Sequence, residues 1–399
     1  MTPGPGIART QLPAGFTAGG INSGVRRYRP DLGIIVSDRP AVTAAVYTQS
    51  QCRGAHVEYC QEILPSSEIM AIVTNSGQAN AATGVEGKVN NRSMAFAAAM
   101  EIGCFPRQIL TASTGVIGAQ LEIEKIQTAM PELCENATDA AEDFALAILT
   151  TDLVPKTVTT VVELTDGPVR ITGICKGSGM IHPNMATMLG YLLTDAILPV
   201  ESVQKILKKA VDVSFNMISV DGDSSPNDTV FLMANGASGV GVNTYTDFEV
   251  LERAFIDVAK ILAQSIAIDG EGATKLVEVS LSGAPDDELA KRAARGLTVS
   301  PLLKSAIHGA DPNWGRILAR LGAEQVPAYC LEQMTLSIQG QMIFSNGRPA
   351  QFEAGELRNK LKTHKVCIEI DLRSGTGAAT AWGCDLSRKY VDINAEYTT

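Results

Sequence analysis

Apolar positions along the chain fall into short runs of strand length, separated by longer stretches with helical spacing. Residues 32–37, 44–48 and 69–74 are β-branched apolar runs that predict strands, whereas 89–102 and 137–149 are Ala-rich with helical periodicity. Residues 156–174 predict a hairpin, because two Val/Thr/Ile runs flank Asp166-Gly167-Pro168. A Gly-rich turn after Lys176 leads to a further buried strand at 188–193. Downstream, 199–213 reads as a helix with Pro in its first turn, 248–266 as a long amphipathic helix and 288–294 as a short one. Strands are expected at 228–233, at 275–281, around Gln339-Gly340 within 334–344, and at 367–372. No internal repeat or long polar linker interrupts this mixture. It predicts a layered α/β (α+β) sandwich rather than a bundle or a barrel.

Composition narrows the function classes. Of 399 residues 45% are hydrophobic, enough for a sizeable core in two domains or one large one. Lys plus Arg number 33 and Asp plus Glu 43, for a net charge of −10, and no Lys/Arg-rich run is present. This argues against a nucleic-acid partner, whose affinity needs many cationic contacts. The first residues carry no basic-then-apolar leader, and no apolar run reaches membrane-span length, so a soluble cytoplasmic protein without a membrane partner is expected. The eight cysteines contain no Cys-x-x-Cys pair and read as reduced, small hydrophobes.

Common catalytic motifs fail. Gly84-Val-Glu-Gly87-Lys88 has the wrong spacing for a phosphate loop, and no Gly-x-Ser-x-Gly elbow occurs. The acidic run 221–228 lacks the twelfth-position Glu of a calcium loop and reads as a tight turn. His56, His182, His308 and His364 are far apart in sequence, so no metal is expected.

One segment stands out, from Lys176 to Gly190. It contains turn formers, one Pro, and Ala186 immediately before Thr187. A strained small-residue–Thr bond at a sharp turn suits an N→O acyl shift followed by ester hydrolysis. The product is a Thr whose own α-amine can act as base for its hydroxyl. Unperturbed, that amine has a pKa of about 7.7–8.0, close to the working range of a general base. Taken by itself, the same stretch also reads as a buried strand after a loop.

The segment 184–189 with Thr194-Asp195-Ala196 resembles the self-cleavage region of the ornithine acetyltransferase family, the glutamate N-acetyltransferases of the cyclic arginine pathway. Further matching motifs follow in order along nearly the whole chain: Asn75-Ser-Gly-Gln-Ala-Asn-Ala81, Thr111-Ala-Ser-Thr-Gly115, Thr150-Thr-Asp152, 214–223, 269–275, 309–316, 381–386 and the tail 390–397. Residues 47–56 and 387–389 depart from the family's pattern.

The resemblance implies a fold like that of N-terminal-nucleophile hydrolases, with helices outside two central sheets. It implies self-cleavage between Ala186 and Thr187 into an α chain, 1–186, and a β chain, 187–399, held in an α2β2 heterotetramer. Thr187 would take acetyl from N2-acetylornithine and pass it to glutamate in a ping-pong cycle. No metal or organic cofactor is implied, and acetyl-CoA as a second donor stays open. Thr114 and Gly115 match the oxyanion-hole pair. Thr150, Lys176, Thr187, Glu271, Asn394 and Thr399 match substrate contacts, with Thr151 an alternative to Thr150. Lys176 would meet a substrate carboxylate and Glu271 the ammonium of ornithine. Two rival readings share these features: an N-terminal-nucleophile aminopeptidase or amidohydrolase, and a non-catalytic binding protein of the same fold.

Overall fold

A computed structural model describes residues 10–182 and 188–396, and their Val/Ile/Ala runs settle into two separate sheets. In the first, the strands stand in the order Ile109–Val116, Ser66–Gln78, Leu32–Tyr47, Thr229–Ala234, Leu189–Thr194, Gly167–Lys176 and Lys156–Leu164, with Phe16–Ile21 paired to one half of Leu32–Tyr47. The second runs Arg348–Pro349, Gln341–Ser345, Thr335–Ile338, Lys365–Asp371, Leu276–Ala284, Gly377–Cys384 and Ile218–Ser219. Both sheets mix parallel and antiparallel pairs.

The expected two-sheet α/β sandwich is therefore present. Its helices do not all lie outside, however: Tyr245–Ile268 packs on Lys156–Leu164 and Gly167–Lys176 of the first sheet and also on Gly377–Cys384 of the second. That helix begins three residues before the expected start, because Thr244 and Asp247 cap one another. The Asp247 N–H donates to Thr244 Oγ1 at 3.0 Å and the Thr244 N–H to Asp247 Oδ2 at 3.2 Å.

The strand Leu189–Thr194 lies between two neighbours and is buried at every position, which explains its unbroken apolar sequence. Tyr191 in its middle meets Phe144 edge-on and stacks on Phe231, and its hydroxyl pairs with Thr74 Oγ1 at 2.8 Å. The pair satisfies the polar tip of an otherwise apolar side chain.

Two expectations need correction. Within 137–149 only Glu142–Ala147 is helical; the Thr138 backbone instead exchanges hydrogen bonds with Ala18 on the edge strand, and Ala140 bridges Gln11. Edge pairing competes there with a helix and wins. In the hairpin, the strand resumes at Gly167, so Pro168 sits inside it opposite Glu163. Only one partner flanks that end of the strand, so the missing N–H costs little. Ala186, Thr187 and Thr399, and with them the boundary between the two expected chains, lie outside the described residues.

Candidate active site

Along one rim of the first sheet lies a cavity of about 430 Å³. Thr114 and Gly115 reach it from the end of Ile109–Val116, and Lys176 from the last position of Gly167–Lys176. Thr150 comes from the loop after Glu142–Ala147, Glu271 from the turn after Tyr245–Ile268, and Asn394 from the C-terminal helix Arg388–Glu396. These six, expected from the sequence, line one space. Met188, the chain neighbour of Thr187, lines it too.

Lys176 is the buried cation of the cavity. Its Nζ donates to Thr150 Oγ1 at 2.8 Å and to Thr114 Oγ1 at 3.3 Å, and stands 4.0 Å from Asp152 Oδ2. Asp152 holds this corner together. Its Oδ1 accepts from the Gly177 N–H and from Lys156 Nζ, both at 2.7 Å, and its Oδ2 from the Thr150 N–H at 3.1 Å. Lys156 in turn donates to Asp269 Oδ2 at 2.6 Å. Burial pushes the Asp152 carboxyl up, but the ammonium groups of Lys176 and Lys156 and the Gly177 N–H outweigh it and bring it down to about 2. Burial also lowers the Lys176 pKa from its ordinary value, against the opposing pull of Asp152. Each charge here has a partner.

Because Thr114 Oγ1 accepts from Lys176, its own O–H is left to donate into the cavity. The ladder between Ser66–Gln78 and Ile109–Val116 loses register at this point, where Gln78 faces both Thr114 and Val116. Gly115 has φ +131°, and a Cβ there would lie 2.2 Å from the Gly77 carbonyl carbon. Only glycine fits. The strand runs on through Ser113, Thr114 and Gly115, so these residues belong to the sheet edge facing the cavity and not to a turn.

Across the cavity, Asn394 Nδ2 donates to Glu271 Oε2 at 2.8 Å, and the Glu271 N–H to the Ser178 carbonyl at 3.1 Å. A Cβ on Gly179 would stand 2.4 Å from Glu271 Oε1, so glycine makes room for this carboxylate. Asp221 accepts from the N–H groups of Met180 at 2.6 Å and Ile181 at 2.9 Å. Burial raises its pKa against those donors. These bonds anchor the chain just before 183–187, while the Thr229 N–H, donating to the Met188 carbonyl at 3.1 Å, anchors it just after.

Several cavity residues were not singled out in the sequence. Asp152 sits inside the quoted motif Thr150-Thr-Asp152, but a carboxylate that only positions a lysine has no motif of its own. Residues 221–228, expected as a tight turn, instead form an extended loop along the cavity wall, where Asn227 Nδ2 ties the Ser113 carbonyl at 2.8 Å. Tyr390 also lines the cavity, its hydroxyl pushed up to about 12, first by burial and then by Asp221 and Glu271. Thr150 and Thr151 both reach the space, and it is Thr150 that bonds Lys176. Among the described residues no three His, Cys, Asp or Glu side chains converge to hold a metal.

The ArgJ family model matches residues 17–399. The chain belongs to the ArgJ family. Curated ArgJ relatives, each called an arginine biosynthesis bifunctional protein, agree. The one from Thermus thermophilus is 45% identical over 395 residues, 98% of this chain and 99% of that protein. The one from Lactococcus lactis is 42% identical over 389 residues, 97% of this chain and 98% of its own. A crystal structure of the ArgJ protein from Bacillus halodurans is 38% identical, with a TM-score of 0.51, covering 53% of this chain and all of that chain. The family resemblance traced in the sequence is thus borne out across nearly the whole chain. No helix among the described residues is long and apolar enough to cross a membrane.

Proposed function

We propose that this ArgJ-family protein is a self-cleaving glutamate N-acetyltransferase of arginine biosynthesis that works through an acetyl-Thr187 intermediate. The observation that carries the reading is convergence. Thr114, Gly115, Thr150, Lys176, Glu271 and Asn394 come from distant parts of the chain into one cavity beside Met188.

In the precursor, the Thr187 hydroxyl attacks the Ala186 carbonyl, the acyl group moves from nitrogen to oxygen, and water hydrolyses the ester. Chain 187–399 then begins with a free amine. That amine takes the proton of the Thr187 hydroxyl as the oxygen attacks the acetyl carbonyl of N2-acetylornithine. The Thr114 O–H and the Gly115 N–H meet the oxyanion, and ornithine leaves with the proton. The amine of glutamate next attacks the acetyl ester and regenerates Thr187. Lys176 takes the α-carboxylate common to both substrates and Glu271 the side-chain ammonium of ornithine, with Thr150 and the terminal Thr399 as further contacts. The cycle uses no metal and no organic cofactor.

After cleavage, Leu189–Thr194 of the β chain remains hydrogen-bonded to Gly167–Lys176 of the α chain and is buried along its length, which keeps the two chains together. We propose an α2β2 assembly in the cytoplasm. The test is a transfer assay with acetylornithine and glutamate, in which acetylglutamate and ornithine should form in equal amounts. Free acetate without acetylglutamate would instead identify an amidohydrolase, and no turnover at all a binding protein. Replacing acetylornithine by acetyl-CoA in the same assay decides whether a second donor is used.

A further inference from the structure

A second cavity, of about 440 Å³, lies beside His182. Its cations come from two helices. Lys291, Arg292 and Arg295 project from one face of Asp287–Val299, and Arg320 projects from Trp314–Ala323. The carboxylates of the wall are already engaged. Glu288 pairs with Lys291 at 3.2 Å, Glu324 with Arg320, and Asp212 Oδ1 accepts from Asn216 Nδ2 at 3.2 Å. Arg292 Nε donates to the Glu324 carbonyl at 3.1 Å.

Arg295 is left over. No ion pair among the described residues includes it, and its Nε and Nη2, both shut off from solvent, have no acceptor; Arg320 Nε is in the same state. A guanidinium so placed is costly unless an anion supplies acceptors. Burial pushes Arg295 down to about 10, with Glu324 opposing. The same field is felt at His182, lowered to about 4 first by burial and then by Arg295 and Arg320.

We propose that this cavity is an oxyanion-binding site, separate from the acyl-transfer cavity, in which Arg295 and Arg320 hold a phosphate or carboxylate group. The planar guanidinium matches two oxygens of such a group. The space, about 440 Å³, leaves room for a molecule larger than the group itself.

Calorimetric titration of the full protein with inorganic phosphate in a chloride-only buffer tests this. Saturable binding is expected below roughly 10 mM, weakened at least about tenfold by Arg295→Met and partly kept by Arg295→Lys. Lys176→Met, in the other cavity, should leave it unchanged. Parallel titrations with pyrophosphate and acetate separate a phosphoryl from a carboxylate ligand. A second readout needs no variant: phosphate should raise the His182 pKa, followed by NMR of the imidazole, because a bound anion cancels the field of Arg295 and Arg320. No saturable binding, or binding that survives Arg295→Met and is lost in Lys176→Met, overturns the assignment, as does a His182 titration indifferent to phosphate.

Discussion

Lys176 is a buried cation and Arg295 a half-buried one; both face a cavity, yet their surroundings differ in kind. Lys176 has two hydroxyl acceptors and sits beside Asp152, which is itself bonded by Lys156 and two backbone N–H groups. Arg295 Nε and Nη2 have no acceptor among the described residues. The first arrangement is a closed network, in which the protein supplies every counter-charge and so holds the cation in place. The second is an open one that an exogenous anion would complete. Both clusters are basic; the difference lies in what faces the charge.

Removing one member of the closed network should have the largest effect. Asp152→Ala leaves two ammonium groups short of a partner and should cost about 3–5 kcal/mol of stability, read from urea unfolding. A stability unchanged within error would mean that the network is not the strut described. The same carboxylate gives a pH signature. Its folded pKa of about 2 lies below the ordinary 3.8, so its stabilising contribution is complete above that value and is lost as pH falls toward 2. Unfolding midpoints measured down this window should fall more steeply in the unaltered protein than in Asp152→Asn.

Next in size is the proposed oxyanion pair, Thr114 and Gly115. Thr114→Val keeps the volume but removes the donor, and kcat should fall by about 10²–10³ with the fold intact. Circular dichroism beside steady-state kinetics separates the two effects. A smaller change is expected from Gly179→Ala, whose methyl group would crowd the Glu271 carboxylate. The KM for acetylornithine should rise severalfold with a lesser effect on kcat; equal losses in both would place Glu271 in the chemical step rather than in binding. Smallest is Arg295→Met without added anion. Losing a charge that forms no ion pair among the described residues should change stability by less than about 1 kcal/mol, and in the favourable direction. A large destabilisation there would erase the contrast with Lys176.

Part of the first sheet was legible in the sequence because its central strands, Leu189–Thr194 and Thr229–Ala234, are buried at every position and are rich in apolar residues. Residues 188–193, expected as a strand, appear as Leu189–Thr194 for that reason. Residues 137–149 were misjudged because helical spacing could not anticipate that Thr138 would pair with Ala18, more than a hundred positions away. The strand Gly377–Cys384 was missed as well, since Gly and Ala dominate it and its packing against Asp287–Val299 leaves no apolar alternation.

The candidate active-site cavity divides in the same way. Thr114, Gly115, Lys176 and Glu271 were found through their motifs, not through any local periodicity. Asp152 and Asn227 act by holding a lysine and a backbone carbonyl in place, and such roles become visible only once the loops are set side by side. Arg295 gave no sign in the sequence. A lysine and two arginines on a helix ordinarily face solvent, and only the packing of Trp314–Ala323 nearby makes one of them unusual.

Intact-mass spectrometry of the purified protein, before and after brief exposure to acetylornithine, tests the central claim most directly. Two chains corresponding to 1–186 and 187–399 are expected, the second gaining about 42 Da at its first residue as the acetyl ester forms. A single full-length chain that transfers acetyl at the normal rate would contradict the account.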